Sequence, residues 1–117
     1  MDASSQLLDW EQLDMVAFGY TADFLEIYAE FLEQTPGMLA NAAEAASQQD
    51  VQRVANLAHK IKGSALNFGF SGVSSPMAEV EAQAKGGGNL DGALDRIAQA
   101  GVNFELAKAE VAKAKNL

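Results

Sequence analysis

An all-α protein, built as an antiparallel up-down-up-down four-helix bundle with a short additional N-terminal helix, is the fold this sequence predicts. Three observations lead there. Apolar residues recur at three- and four-residue spacing through four long segments. Alanine is abundant, and β-branched residues never cluster in alternation. The links between segments are short, which makes successive helices antiparallel neighbours. The 117 residues fit one domain spanning 1–117, and a chain of that size buries about two-thirds of its unfolded surface.

Taken in order, Asp9 is a candidate N-cap for a short helix with Trp10, Leu13 and Ala17 or Val16 on one side and Gly19 at its end. Thr21 can cap the next helix, whose Phe24, Ile27, Tyr28, Phe31, Leu32, Leu39, Ala42 and Ala46 form the strongest core stripe in the chain. Pro36-Gly37 falls inside it, yet the stripe keeps phase from Thr35 to Met38, so one kinked helix over about 21 to 48 is expected rather than two. Gln49-Asp50 reads as a tight turn and N-cap. The helix after it should run from Val51 to about Phe68 and stop at Gly69, with Val51, Val54, Ala58, Ile61, Ala65 and Phe68 inward. Ser75 and Pro76 predict the start of a fourth helix, because the first helical position is where proline costs least. Val73, Met77, Val80 and Ala84 should point inward. After the flexible Gly86-Gly87-Gly88 link, Asn89 can cap a last helix with a seam of Leu90, Leu94, Ile97, Gly101, Phe104 and Val111. Gly101 in that seam suggests close helix approach.

Composition narrows the function. Sixteen acidic against eight basic residues leave a formal net charge of −8, a field that repels nucleic acid and anionic lipid. Hydrophobic residues at 49% and charged residues at 21% match ordinary globular proteins rather than disordered or membrane chains. Without cysteine there are no disulfides, thiolate metal sites or cysteine nucleophiles, in keeping with a reducing compartment. Met1 to Gln6 lack a basic region followed by an apolar run, and no later segment is long and apolar enough to span a bilayer. A cytoplasmic, monomeric protein is expected.

The stretch Ala58-His59-Lys60-Ile61-Lys62-Gly63-Ser64-Ala65 holds the only histidine. Helical phase puts His59 about 140° from the middle of its helix's core face, hence toward solvent. Gly63 follows on the same side, Lys62 and Asn56 flank it, and Gln52, Leu66 and Phe70 extend the strip. Neutral imidazole is abundant near pH 7 and can attack phosphorus from a ring nitrogen. Lys62, one turn on, can reach phosphoryl oxygens as a point charge, and phosphoryl transfer depends mainly on positioning and charge. Gly63 leaves clearance for an incoming active site, a reason for a mid-helix glycine that otherwise costs about 1 kcal/mol against alanine. Taken alone, Lys62 is a solvated charge and Ser64 packs or bonds back to its helix. Gln52 and Asn56 are either solvated or in partner contact. Leu66 and Phe70 suit either a docking surface or the edge of the core.

These residues resemble the signature of histidine-containing phosphotransfer (HPt) domains of two-component phosphorelays. The likeness extends to Phe24-Leu25 through Glu33-Gln34-Thr35-Pro36, to Asp50 at the turn, to Phe68-Gly69 and to Val80-Glu81, which is similar to the family's leucine-glutamate pair. It covers about residues 21 to 86, the last helix being similar in pattern only. The resemblance implies a carrier phosphorylated on His59 by a receiver-domain phosphoaspartate, or by a histidine kinase such as a hybrid sensor, and discharged to the aspartate of a response regulator. It implies that Lys62 stabilises the phosphoryl group, that Gly63 gives access, and that magnesium and acid-base groups belong to the receiver, so the chain is no enzyme and needs no cofactor. Ser71-Gly72-Val73-Ser74-Ser75-Pro76 is poorer in helix formers than the family pattern, and the triple glycine is looser. Met1 and the lack of a long linker point to a free-standing protein. The Phe68-Gly69-Phe70 stretch, similar to the phosphotransfer domain of chemotaxis kinases, keeps a domain of a larger kinase as the alternative.

Other chemistries fit poorly. One histidine without cysteine leaves only carboxylates as metal ligands, and neither H-x-x-x-H nor EF-hand spacing occurs. No G-x-S-x-G elbow exists, and the glycine run has neither a strand before it nor Gly-Lys-Ser/Thr after it. Two functions remain: a phosphocarrier, or a helical adaptor that binds receiver domains or other signalling proteins without being phosphorylated.

Overall fold

The computed structural model describes residues 7–117. The N-terminal stretch read above as lacking a leader pattern lies outside the described residues. Five helices organise the rest: α1 (Trp10–Ala17), α2 (Ala22–Ser47), α3 (Val51–Asn67), α4 (Ser71–Lys85) and α5 (Ala93–Lys115). The fold is the antiparallel four-helix bundle expected, with α1 as the additional N-terminal helix. Helices consecutive in sequence pack side by side from α2 to α5, and α5 closes the ring against α2.

The caps arise where short polar side chains precede apolar runs. Asp9, Thr21 and Asp50 accept hydrogen bonds from the backbone N–H of Gln12, Phe24 and Arg53, satisfying donors that a helix start leaves free. The turn into α4 depends on Gly69, which adopts φ +72° and sits against α1; a Cβ there would collide with the Asp9 carbonyl oxygen. Asp9 in turn donates its N–H to the Gly69 carbonyl at 2.7 Å, fixing α1 across the α3–α4 turn.

Aromatic rings form one end of the core. Phe31 stacks on Phe68 with centroids 4.6 Å apart and meets Phe70 edge-on at 5.0 Å, and Phe104 of α5 packs against both Phe31 and Phe70. Each buried Phe contributes about 1.5–3 kcal/mol of transfer free energy. The predicted inward faces of α3 and α4 are observed, except that Val51 is only partly buried. In α2 the stripe holds apart from Leu32, which is partly buried, and Ile27, which is 48% exposed at the edge of a cleft against α3.

Three expectations need correction. First, α4 starts at Ser71, not at Ser75-Pro76, and Pro76 lies inside the helix. A proline there deprives the Gly72 carbonyl of its helical donor. The Asn103 side-chain amide of α5 donates to that carbonyl at 2.9 Å instead. Pro36 is likewise accommodated within a single α2, on its exposed face. Second, the α5 seam is Ala93, Ile97, Ala100, Phe104, Ala107 and Val111, at alternating four- and three-residue steps. Leu94 faces outward at 49% exposure, and Gly101 has open space where a Cβ would stand. Asn89 caps a turn by accepting from the Asp91 N–H, while Gly92 precedes the helix. Third, Phe70 is fully buried rather than part of the exposed strip. The helix phase used to place it ends at Gly69, whose left-handed conformation turns the next side chain into the aromatic core.

Candidate functional site

The turn at 68–70 folds α4 back along α3, which brings the middle of one helix against the middle of the other. His59 and Lys62 stand on α3 at a three-residue offset, so their side chains leave the same helical face. Opposite them, Glu81 of α4 is 8% exposed. One residue after inward Val80 and three before inward Ala84, it occupies the edge of the buried stripe.

A carboxylate in that position requires compensation, because burying an unpaired charge is costly. Three groups supply it. Lys62 Nζ donates to Oε1 at 2.6 Å, Lys85 Nζ donates to Oε2 at 2.7 Å, and His59 Nδ1 lies 2.8 Å from the same Oε2. The lysines, Lys62 first and Lys85 second, hold the Glu81 carboxyl down at about 2 against the opposing effect of burial, with His59 adding a smaller downward contribution. Glu81 is therefore ionised at neutral pH, and an ionised carboxylate can only accept. It follows that Nδ1 carries the proton and donates it to Oε2. In the neutral ring the lone pair is then on Nε2, pointing away from α4.

The surroundings of that nitrogen are open. The His59 side chain is 63% exposed, and nothing lies within 4 Å of a Cβ built at Gly63. Gln52 donates to Asn56 Oδ1 at 3.3 Å on the exposed surface one and two turns before His59. Leu66 is 54% exposed farther along the strip. The structure thus brings His59, Lys62, Gly63, Asn56, Gln52 and Leu66 onto one side of α3 and removes Phe70 from it. Lys62 departs from the expectation of an unpaired solvated charge: it is 28% exposed and ion-paired.

Such an arrangement orients the histidine ring, leaves Nε2 toward solvent as a nucleophile and sets fixed positive charge beside it. A family comparison agrees with the kind of chemistry. The model of the Hpt domain matches residues 26–115. The chain belongs to the Hpt domain family. No curated protein and no solved structure matches it. Hpt domains act in histidine phosphotransfer within phosphorelays, as carriers that interact with receiver domains and kinases. The match extends through α5, beyond the region in which specific Hpt residues are legible. Among the described residues no group of three His, Cys, Asp or Glu side chains could hold a metal ion, and no helix is long and apolar enough to cross a membrane.

Glu81 is the member of the site that reading for the histidine overlooks. Its signal is in the sequence: an acidic residue embedded in the inward set Met77, Val80 and Ala84 has to find a cation, and Lys85 four residues on is the nearest one on its own helix. The lysine and imidazole from α3 become visible only once the two helices are paired.

Proposed function

We propose that this protein is a phosphorelay carrier that accepts a phosphoryl group on Nε2 of His59 from a receiver-domain phosphoaspartate, or from a histidine kinase, and passes it to the aspartate of a response regulator. The observation that supports this most is the pairing of an exposed ring nitrogen with a buried, ionised Glu81 on the other side of the ring.

The chemistry follows from that pairing. The Nε2 lone pair attacks phosphorus while the bond from phosphorus to the aspartyl oxygen breaks, and the carboxylate leaves with the electron pair. The ring keeps its Nδ1 proton throughout and becomes a phosphorylated imidazolium. Its positive charge develops 2.8 Å from the Glu81 carboxylate, which is ionised before the reaction and needs no rearrangement. The return step runs in reverse, with the imidazole leaving as the same neutral Nδ1–H ring. Lys62 supplies charge for the phosphoryl oxygens, and the open space at Gly63 admits the partner's loops. Magnesium and the groups that hold it come with the receiver.

Gln52, Asn56 and Leu66 form the docking strip around His59. A cleft of about 240 Å³, lined in part by Ile27 and Met38 of α2 and Ser64 and Asn67 of α3, lies between those two helices. Exposed Ile27 and Leu66 provide the apolar contacts such an interface uses at its centre. The working form is a monomeric single domain in the cytoplasm.

The test uses a receiver domain from the same genome, loaded on its aspartate with radiolabelled acetyl phosphate. The wild-type chain takes up an acid-labile, base-stable label, and His59→Gln takes up none. A wild-type chain that stays unlabelled by every receiver of its host, or a His59→Gln chain labelled equally, overturns the carrier and leaves the adaptor function.

A further inference from the structure

Glu81 has more positive charge around it than one carboxylate needs. Two ammonium groups bond to it, Lys62 on Oε1 and Lys85 on Oε2, and the proton of the neutral ring bonds to Oε2 as well. With His59 neutral the cluster has one excess positive charge. A phosphoryl group arriving on Nε2 brings negative oxygens to within reach of a lysine on the histidine's own helix. That lysine then has two competing anions, the carboxylate it already holds and the phosphoryl group.

We propose that the two lysines divide these duties: Lys62 leaves Oε1 for the phosphoryl oxygens when His59 is phosphorylated, and Lys85 stays on Oε2 and keeps Glu81 paired so that Lys62 is free to go. This rests on the carrier function proposed above. Geometry assigns the roles. Lys62 holds the carboxylate oxygen that the ring does not use, so its departure leaves the contact between Nδ1 and Oε2 intact. Lys85 holds the same oxygen as the ring, from α4, at the i,i+4 distance from Glu81 that lets it remain there while α3 changes partner. Without Lys85, a carboxylate that is 8% exposed would be left with the imidazolium alone on Oε2 and with nothing on Oε1 if Lys62 turned away. Lys62 would then be retained on Glu81, and the phosphoryl group would be left without its charge. Lys85 is in this sense a positioning residue, acting on the phosphoryl group through Glu81 and Lys62.

The experiment is a double-mutant cycle on the rate of label uptake from the acetyl-phosphate-loaded receiver, using the full chain. Lys85→Ala and Lys62→Ala each slow uptake by about tenfold, and the double variant is slower than either single one by less than about twofold, since both remove the same freed ammonium group. Lys85→Arg recovers most of the rate, whereas Lys85→Gln does not. Nitrogen-15 spectra of unphosphorylated Lys85→Ala keep the His59 Nδ1–H tautomer, because Lys62 still holds Glu81; this separates the handover from a general loss of site structure. Uptake by Lys85→Ala at the wild-type rate, or losses that multiply to about a hundredfold in the double variant, overturns the handover while the carrier function stands. Loss of the Nδ1–H tautomer in Lys85→Ala also overturns it, by assigning Lys85 to the ring geometry. A wild-type chain that takes up no label contradicts the carrier and the handover together.

Discussion

Among the buried polar side chains of the described residues, Glu81 and Tyr28 are treated in opposite ways. The Glu81 carboxylate on α4 has three partners between 2.6 and 2.8 Å. The Tyr28 hydroxyl on α2 is buried with no hydrogen-bond partner, although its ring is well packed, stacked on Phe24 at 5.5 Å and tilted against Phe68 at 5.7 Å. Burial alone pushes the Tyr28 phenol up, so it stays neutral, while Glu81 is held ionised against burial. A neutral orphan is a modest cost that aromatic packing offsets; a buried charge persists only when partners are built around it. The contrast separates a residue that serves packing from one that the proposed transfer would use.

Substitutions on the two sides of this contrast should separate stability from transfer. The largest effect on stability is expected in the aromatic cluster around Tyr28. Phe70→Ala removes a fully buried ring that touches Tyr28, Phe31 and Phe104 and should cost about 3–5 kcal/mol in urea unfolding. Transfer by the fraction that remains folded should be near normal; a specific loss of transfer would mean that Phe70 also acts in docking.

Glu81→Gln comes next. It leaves two lysines without their counter-charge and should cost about 1–3 kcal/mol. Label uptake should also slow, by about a hundredfold, because the amide no longer favours the Nδ1–H tautomer or stabilises the developing imidazolium. The same substitution has a pH signature. Glu81 has a folded pKa below its ordinary value, so its contribution to stability is fully present above the ordinary carboxylate range and is lost as pH falls through that range toward about 2. Acid-unfolding curves of the wild type should therefore steepen between about pH 5 and 2 relative to Glu81→Gln, and superimposable curves would place the Glu81 carboxyl at its ordinary value.

Smaller again is Asn103→Ala, which leaves the Gly72 carbonyl beside Pro76 without a donor and should cost about 1–2 kcal/mol by thermal unfolding. Smallest is Tyr28→Phe. Deleting a hydroxyl that bonds to nothing should change stability by less than about 1 kcal/mol, in the stabilising direction. A loss above that would reveal a partner for the hydroxyl and weaken the contrast with Glu81.

Much of this architecture was legible because helical phase is a local property. Asp9, Thr21 and Asp50 announce their helices, and the inward faces of α3 and α4 follow from spacing alone. What escaped depended on residues distant in sequence. Pro76 reads as a helix start because nothing nearby could repair an interior proline, and Asn103, which does so, lies on another helix. In α5 the expected seam is mostly of large side chains with Gly101 between them, whereas Ala93, Ala100 and Ala107 alternate with Ile97, Phe104 and Val111. Small residues there let the helices approach closely, which a search for bulk misses. The exposed position expected for Phe70 extends the helical phase across Gly69, where the backbone leaves the right-handed region. At the site, the exposure of His59 and the clearance at Gly63 were readable from α3 alone. Glu81 was visible as part of a resemblance, but its bond to the histidine depends on how two helices pair.

If Glu81 holds the proton on Nδ1, Nε2 of His59 is the atom that takes the phosphoryl group. Two-bond hydrogen–nitrogen correlation spectra of the imidazole, recorded before and after phosphorylation by a loaded receiver, test it directly. An Nδ1–H tautomer is expected in the free protein, and phosphorus bonded to Nε2 in the loaded one. A free ring protonated on Nε2 alone, or a phosphoryl group on Nδ1 or on any other residue, would contradict it.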